Sequence, residues 1–386
     1  MFSYNQKHKM EFLLISIPLI LLWWQSCNAF PARSFYANQS TLELVHLLFR
    51  HGDRTPETNN LDPNNPYYAE NNYYPYGYGQ LTNVGKVRVY ELGKNLRKRY
   101  NNFLGKAWNM SSLDILTTDY NRTKMSVELM LAGLWPPTCS SIWNPVLLWQ
   151  PIPYNYEKRA NDKELSPFLG CTTLDALVNE VMNNSSDYIN ARYGEVFRIL
   201  ENGTGLQNIT YLKAFFLYFG FTIQENLNIP LDYWVYTVYP EPLRSLAIEY
   251  YYVETNNTKL RTIMSGYLLK KIITDTQNKI NGFSPQGRKM HIYSGHETNI
   301  AALLLSLDML KVVELPPYAS YLAVEIHRID EIYGVKIFYQ DYSSEDPRGP
   351  LKLPECEEFC PFERFVSLVE GILPKSDEEC YGSSTK

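Results

Sequence analysis

A nearly continuous apolar run, Thr41-Leu-Glu-Leu-Val-His-Leu-Leu-Phe49, stops abruptly in the polar stretch Arg50-His-Gly-Asp-Arg-Thr-Pro56. Such a run suits a strand covered on both faces, as in the parallel sheets of α/β proteins. The pattern recurs twice. Leu113-Asp-Ile-Leu-Thr-Thr118 reads as a strand leading into a helical region from Arg122, and Met290-His-Ile-Tyr293 as a short strand followed by a helical pattern from Thr298 to Leu310. Another helix is expected from Thr82 to Tyr100, basic toward its end, as the negative pole of a helix dipole favours. In open α/β sheets, ligand sites gather beyond the carboxyl ends of the strands. The three turns hold Arg50, His51 and Arg54; Arg122; and His296 with Glu297.

The middle of the chain differs. From about Thr173 to Thr276 helical patterns dominate, broken at Pro230 and Pro240. We expect an α/β fold, a mostly parallel central sheet flanked by helices, with an inserted smaller all-helical domain. The expected boundaries are a signal peptide over 1–29, an α/β domain over 30–155 and 277–386, and a helical insertion over 156–276. A length of 386 residues accommodates this plan. The Tyr-, Asn- and Pro-rich stretch Asp62 to Gly79 reads as a surface loop that could rim a site.

Lys7 and Lys9 precede an apolar segment, Phe12 to Trp24, too short to span a bilayer, and Cys27-Asn28-Ala29 supplies small residues for cleavage. The expected product is secreted, extracellular and without a membrane anchor. Removal of Cys27 leaves five cysteines, so at most two intrachain disulfides form. Sequons at Asn38, Asn109, Asn183, Asn184, Asn202, Asn208 and Asn256 are expected glycosylation sites. A further sequon, Asn121, is expected to stay bare because it adjoins Arg122 in what should be a closed pocket. The net charge of −5 disfavours nucleic acid as a partner. No two of the six His show a metal-motif spacing and no C-x-x-C occurs, so zinc is disfavoured.

Chemistry concentrates in Arg50-His-Gly-Asp-Arg-Thr-Pro56. Two guanidiniums offer planar, charge-assisted donors to phosphate oxygens. Gly52 would let the backbone approach an anion closely. His51 between them can be a nucleophile if its attacking nitrogen is unprotonated and the other is held by an acceptor, and neighbouring positive charge disfavours its protonation. At background usage this pattern arises in about one in ten thousand chains of this size. His46 and His291 read as structural residues on strands, and His327, among Glu325, Arg328 and Asp330, as a paired strand or surface residue. Trp234 reads as either a leaving-group pocket residue or a core residue.

The signature resembles that of the histidine acid phosphatase family of the histidine phosphatase superfamily. Gly79-Gln-Leu-Thr82, Thr118-Asp-Tyr-Asn-Arg-Thr123, Trp143-Asn-Pro145, Ser294-Gly-His-Glu297 and Pro316-Pro-Tyr-Ala-Ser320 extend the resemblance to the prostatic and lysosomal type along most of the chain, as also seen in secreted venom or salivary forms. It implies that His51 attacks phosphorus, that Arg50, Arg54, Arg122 and His296 hold the phosphoryl oxygens, and that the acid after His296 protonates the departing alkoxide. It also implies disulfides Cys171–Cys380 and Cys356–Cys360, no metal or cofactor, and a homodimer. Cys139 is left over.

One position departs from the family: Glu297 stands where Asp is usual. The added methylene can displace the carboxyl by about 1 Å, and Ser294-Gly-His-Glu297 also fits a capping box. The expectation is a phosphomonoesterase, an acid phosphatase acting through phosphohistidine on His51 with Glu297 as proton donor. Two rivals are an inositol-polyphosphate phosphatase, disfavoured by the absence of Lys and Arg from the 62–79 loop, and a catalytically weak secreted protein or antigen that binds phosphate ligands.

Overall fold

In a computed structural model of the chain, residues 41–310 and 313–382 are described. The expected signal peptide and the sequon at Asn38 lie outside them. Among the described residues eight strands form one sheet: β1 (Leu42–Arg50), β2 (Leu113–Thr117), β3 (Asn155–Tyr156), β4 (Met290–Gly295), β5 (Tyr321–Ile329), β6 (Ile332–Gln340), β7 (Arg348–Leu351) and β8 (Cys360–Pro361). Their spatial order is β3-β2-β4-β1-β5-β6-β7, with β8 pairing β6. The β3-β2-β4-β1 half is parallel, as the apolar runs suggest. The other half is antiparallel, built by β5 to β8, and is an addition to the expected plan. β3 pairs Tyr156 with Thr117, so the sheet runs a residue past the expected boundary at 155.

β1 is mostly apolar because both its faces are covered. Val45, Leu47 and Phe49 join a core with α1 (Asn83–Leu104) and α2 (Asn121–Leu134), while Leu44 and Leu48 join the core on the other face. That second core includes residues from α4 (Ser186–Thr204), α5 (Tyr211–Asn226), α6 (Leu243–Glu254), α7 (Tyr267–Ile280), α8 (Glu297–Ser306) and α9 (Phe362–Val369). α3 (Leu174–Asn184) contributes Leu174 to a third, smaller cluster with Cys171, Cys380 and Tyr267. Burying an apolar side chain of this size contributes roughly 1.5–3 kcal/mol. No helix among the described residues is long and apolar enough to cross a membrane.

α1 starts where its sequence says it should, with the Thr82 hydroxyl accepting from the Gly85 amide at 3.1 Å. It runs one turn longer than expected, and its last turn carries no basic residue. Arg97, a turn and more earlier, reaches forward to donate to the Gly105 carbonyl at 2.7 Å. The disulfides are Cys171–Cys380 and Cys356–Cys360, the pairing the family resemblance implies, and Cys139 belongs to neither.

Candidate active site

The carboxyl ends of the parallel strands bring the three predicted turns together. Arg50 closes β1 and pairs in register with Gly295 of β4, while Thr117, the last residue of β2, pairs with Ser294. His51 and His296 therefore follow adjacent strands, their rings 5.4 Å apart, and Arg122 enters from the first turn of α2. Arg50, His51, Arg54 and Arg122 are all buried.

The hydrogen bonds of His51 fix its tautomer. Its Nδ1 lies 2.8 Å from the Gly52 carbonyl. A carbonyl can only accept, so Nδ1 carries the proton. Arg122 Nε donates to His51 Nε2 at 3.2 Å, and since Arg has no lone pair to offer, Nε2 is unprotonated. Burial first, then the charges of Arg122, His296, Arg50 and Arg54, hold the imidazole well below its ordinary pKa. The unprotonated Nε2, accepting from Arg122, faces the site.

Each guanidinium is oriented by partners. Arg122 Nη1 donates to Glu57 Oε1 at 2.9 Å and the guanidinium covers the Tyr120 ring at 4.4 Å. Arg54 Nη1 donates to the Thr55 carbonyl and to Asn60 Oδ1, both at 3.0 Å. Arg50 donates to the Pro316 carbonyl at 2.7 Å and stacks on Tyr318 at 4.0 Å. His296 Nε2 lies 3.2 Å from Thr118 Oγ1, and burial followed by the Arg122 charge lowers its pKa well below the usual value.

Glu297 is not a helix cap. The start of α8 is closed by His296 and Asn299, whose Oδ1 accepts from the His296 amide at 2.8 Å, while the Ser294 hydroxyl donates to the Thr123 carbonyl. Glu297 instead forms an ion pair with Arg50, Nε to Oε2 3.0 Å, with 14% of its side chain exposed. Burial pushes its carboxyl up, but Arg50 and then Arg54 outweigh that and the net shift is downward. A second acid stands nearby. Glu254 is fully buried, and burial together with the charge of Glu297 holds its carboxyl well above the usual range.

Three expectations are corrected. A Cβ on Gly52 would lie 2.4 Å from the Gly85 carbonyl oxygen, so this glycine serves the close contact of the turn with α1 rather than approach to an anion. The Tyr-rich loop does not rim the site. It packs against the helical part, where Asn64 donates to the Thr204 carbonyl and Gln224 to Asn65, and none of residues 62–79 lines the cavity above His296. Asn121 is exposed at the start of α2 rather than enclosed beside Arg122, so the reason for expecting it bare does not hold.

The remaining candidates lie elsewhere. His46 bonds Thr276 and Tyr293 within the core. His327 is buried and bonds Glu325 on the same strand. Trp234 lies against Gly203 and Phe221, away from the cavity that holds His296. Sequon residues Asn109, Asn183, Asn184, Asn202, Asn208 and Asn256 are exposed. Sequence reasoning missed Glu57, Asn60, Tyr120, Tyr318 and Glu254. Glu57 directly follows the signature, which was the one available signal. His51, His296 and Glu297 lie close enough together to ligate a cation, but three guanidiniums surround them and favour an anion instead. Asp114, Asp275 and His291 form a second such group, already neutralised by Arg288 and Lys271.

The strand ends of this α/β fold thus gather three arginines around His51, a setting suited to an anion. Residues 41–340 match the model of the histidine phosphatase superfamily, branch 2, and the chain belongs to that family. It is 34% identical to venom acid phosphatase Acph-1 of Apis mellifera, over 88% of this chain and 87% of that protein. It is 32% identical to the prostatic acid phosphatase of Homo sapiens, over 88% of each. Among solved structures, the phytase of Citrobacter braakii shares its fold, with a TM-score of 0.63 and 20% identity, over 89% of this chain and 100% of that one.

Proposed function

We propose that the protein is an acid phosphatase that hydrolyses phosphomonoesters through a phosphohistidine on His51. The observation that carries the reading is the fixed tautomer, with Nδ1–H held by the Gly52 carbonyl and the Nε2 pair aimed where Arg122 ends. In the first step Nε2 forms a bond to phosphorus and the P–O ester bond breaks. Glu297 gives its proton to the departing alkoxide. Water then attacks the phosphorus of phosphohistidine, losing its proton to Glu297, while the P–N bond breaks, its electron pair returns to Nε2, and inorganic phosphate leaves. Phosphoryl transfer spreads charge over the equatorial oxygens, so Arg50, Arg54, Arg122 and His296 supply most of the stabilisation. General acid–base help from Glu297 adds about 10²–10⁴-fold.

Glu297 is paired with Arg50 in the resting site. An incoming phosphoryl group competes for that guanidinium, and the released carboxyl loses the largest charge holding its pKa down, so its affinity for protons rises. Binding and acid loading are thereby coupled. The names of the venom and prostatic relatives support the acid phosphatase reading; the apolar N-terminal segment supports secretion, and the exposed sequons support glycosylation. Among the described residues, Arg54 and Arg122 are the only Lys or Arg lining the cavity, which is too few for an inositol polyphosphate. The test is release of p-nitrophenol from p-nitrophenyl phosphate at pH 5 in chelator. Turnover by wild type and its loss in folded His51→Ala are expected, and a folded wild type without turnover refutes the reading.

A further inference from the structure

The cavity that reaches His296 extends well beyond a phosphate. It encloses about 850 Å³ and continues between α3, α4 and α5. Leu174, Val178 and Met182 recur every four residues along one face of α3, and Ile189 and Phe197 line it from α4. Each stripe covers two turns, about 12 Å at 1.5 Å per residue. Charge is distributed unevenly. Arg54 and Arg122 stand at the phosphoryl end. Among the described residues the remaining wall carries no Lys or Arg, and its larger apolar share is interleaved with Asn179, Ser186 and Asn190, with Asn183 at the exposed rim. That wall offers a second phosphate no cationic partner, and its apolar stripes accept hydrocarbon.

We propose that the preferred substrates are monoesters whose leaving alcohol carries one extended alkyl chain, laid in the slot between α3 and α4 with its single phosphate at His51. This rests on the phosphatase reading and deepens it. The occupant is an amphiphile because the slot joins an anion site to an apolar wall. The wall's length also exceeds what a small alcohol fills.

The test is kcat/KM for ethyl, butyl, hexyl and octyl phosphate, below micelle-forming concentrations, by phosphate release. Burial of a methylene is worth about 0.8 kcal/mol, roughly fourfold. With one side of the slot open to water, the expected gain from ethyl to octyl is at least about tenfold. Leu169→Asp, at the exposed rim, and Met182→Asp should each lower the octyl-to-ethyl ratio about fivefold or more. Val87→Asp, on the exposed face of α1, should leave that ratio unchanged. A flat or falling series with brisk hydrolysis overturns the slot and spares the phosphatase reading. So does an octyl-to-ethyl ratio unmoved by both slot variants, or faster hydrolysis of myo-inositol hexakisphosphate than of octyl phosphate. No hydrolysis of any ester overturns both.

Discussion

Replacing Glu297 by Gln separates proton donation from packing. Gln keeps the size of the side chain and removes the transferable proton. The cost falls on the first chemical step, which kcat/KM reads, and depends on the leaving group. An alkoxide needs the proton, so ethyl phosphate should lose about 10²–10⁴-fold, or roughly 3–5 kcal/mol of barrier. p-Nitrophenolate leaves as a stable anion, and its kcat/KM should fall less than about tenfold. Stability responds differently. Arg50 loses the carboxylate 3.0 Å away but keeps the Pro316 carbonyl at 2.7 Å and the Tyr318 ring at 4.0 Å. The destabilisation is therefore about 1–2 kcal/mol, below the 3–5 kcal/mol of a buried charge stripped of every partner. Because the folded-state pKa of Glu297 is depressed, its stabilisation is present above about pH 4.3, the unfolded value. That stabilisation is lost as pH falls through the folded value. The Tm gap between wild type and variant should close in acid. Phosphate release with both esters and Tm from pH 3 to 7 check this. Equal losses of kcat/KM for both leaving groups refute proton donation by Glu297.

Other perturbations probe the arginines and the turn. Arg122→Lys removes the Nε donor to His51 and the bond to Glu57 at once, and should lower kcat about 10²-fold while raising the His51 pKa, read by imidazole NMR. Gly52→Ala forces a Cβ to within 2.4 Å of the Gly85 carbonyl oxygen and should cost about 1–3 kcal/mol of stability in chemical unfolding; unchanged stability means the turn yields freely. Binding of vanadate near pH 5 should take up protons, because it frees Glu297 from Arg50. Calorimetry in buffers of differing ionisation heat measures the uptake, and zero uptake in wild type contradicts the coupling.

How much of this was legible in the sequence depends on distance along the chain. β1 could be read because both of its faces are covered, which leaves an apolar run broken only by Glu43 and His46 before Arg50. β5 could not. It is buried from Tyr321 to His327, but Glu325, His327 and Arg328 break up its second half, and the first two are tolerated inside because they bond each other and Glu325 bonds Arg99 and Tyr100. The pocket arginines were legible because a phosphate site gathers charge at strand ends. Their supports were not, since Glu57 meets Arg122 and Pro316 meets Arg50 only through the fold. The capping pattern at Ser294 pointed to the wrong partner for Glu297, and only the placement of Asn299 and Arg50 decides between the two.

The central claim is a covalent bond from His51 Nε2 to phosphorus. Rapid quench of the enzyme with a ³²P-labelled phosphomonoester, followed by alkaline digestion and peptide mapping, tests it directly. Acid-labile, alkali-stable label on His51 in wild type, absent from folded His51→Ala, is the predicted result. Label on another residue, or sustained turnover by His51→Ala, would contradict the account.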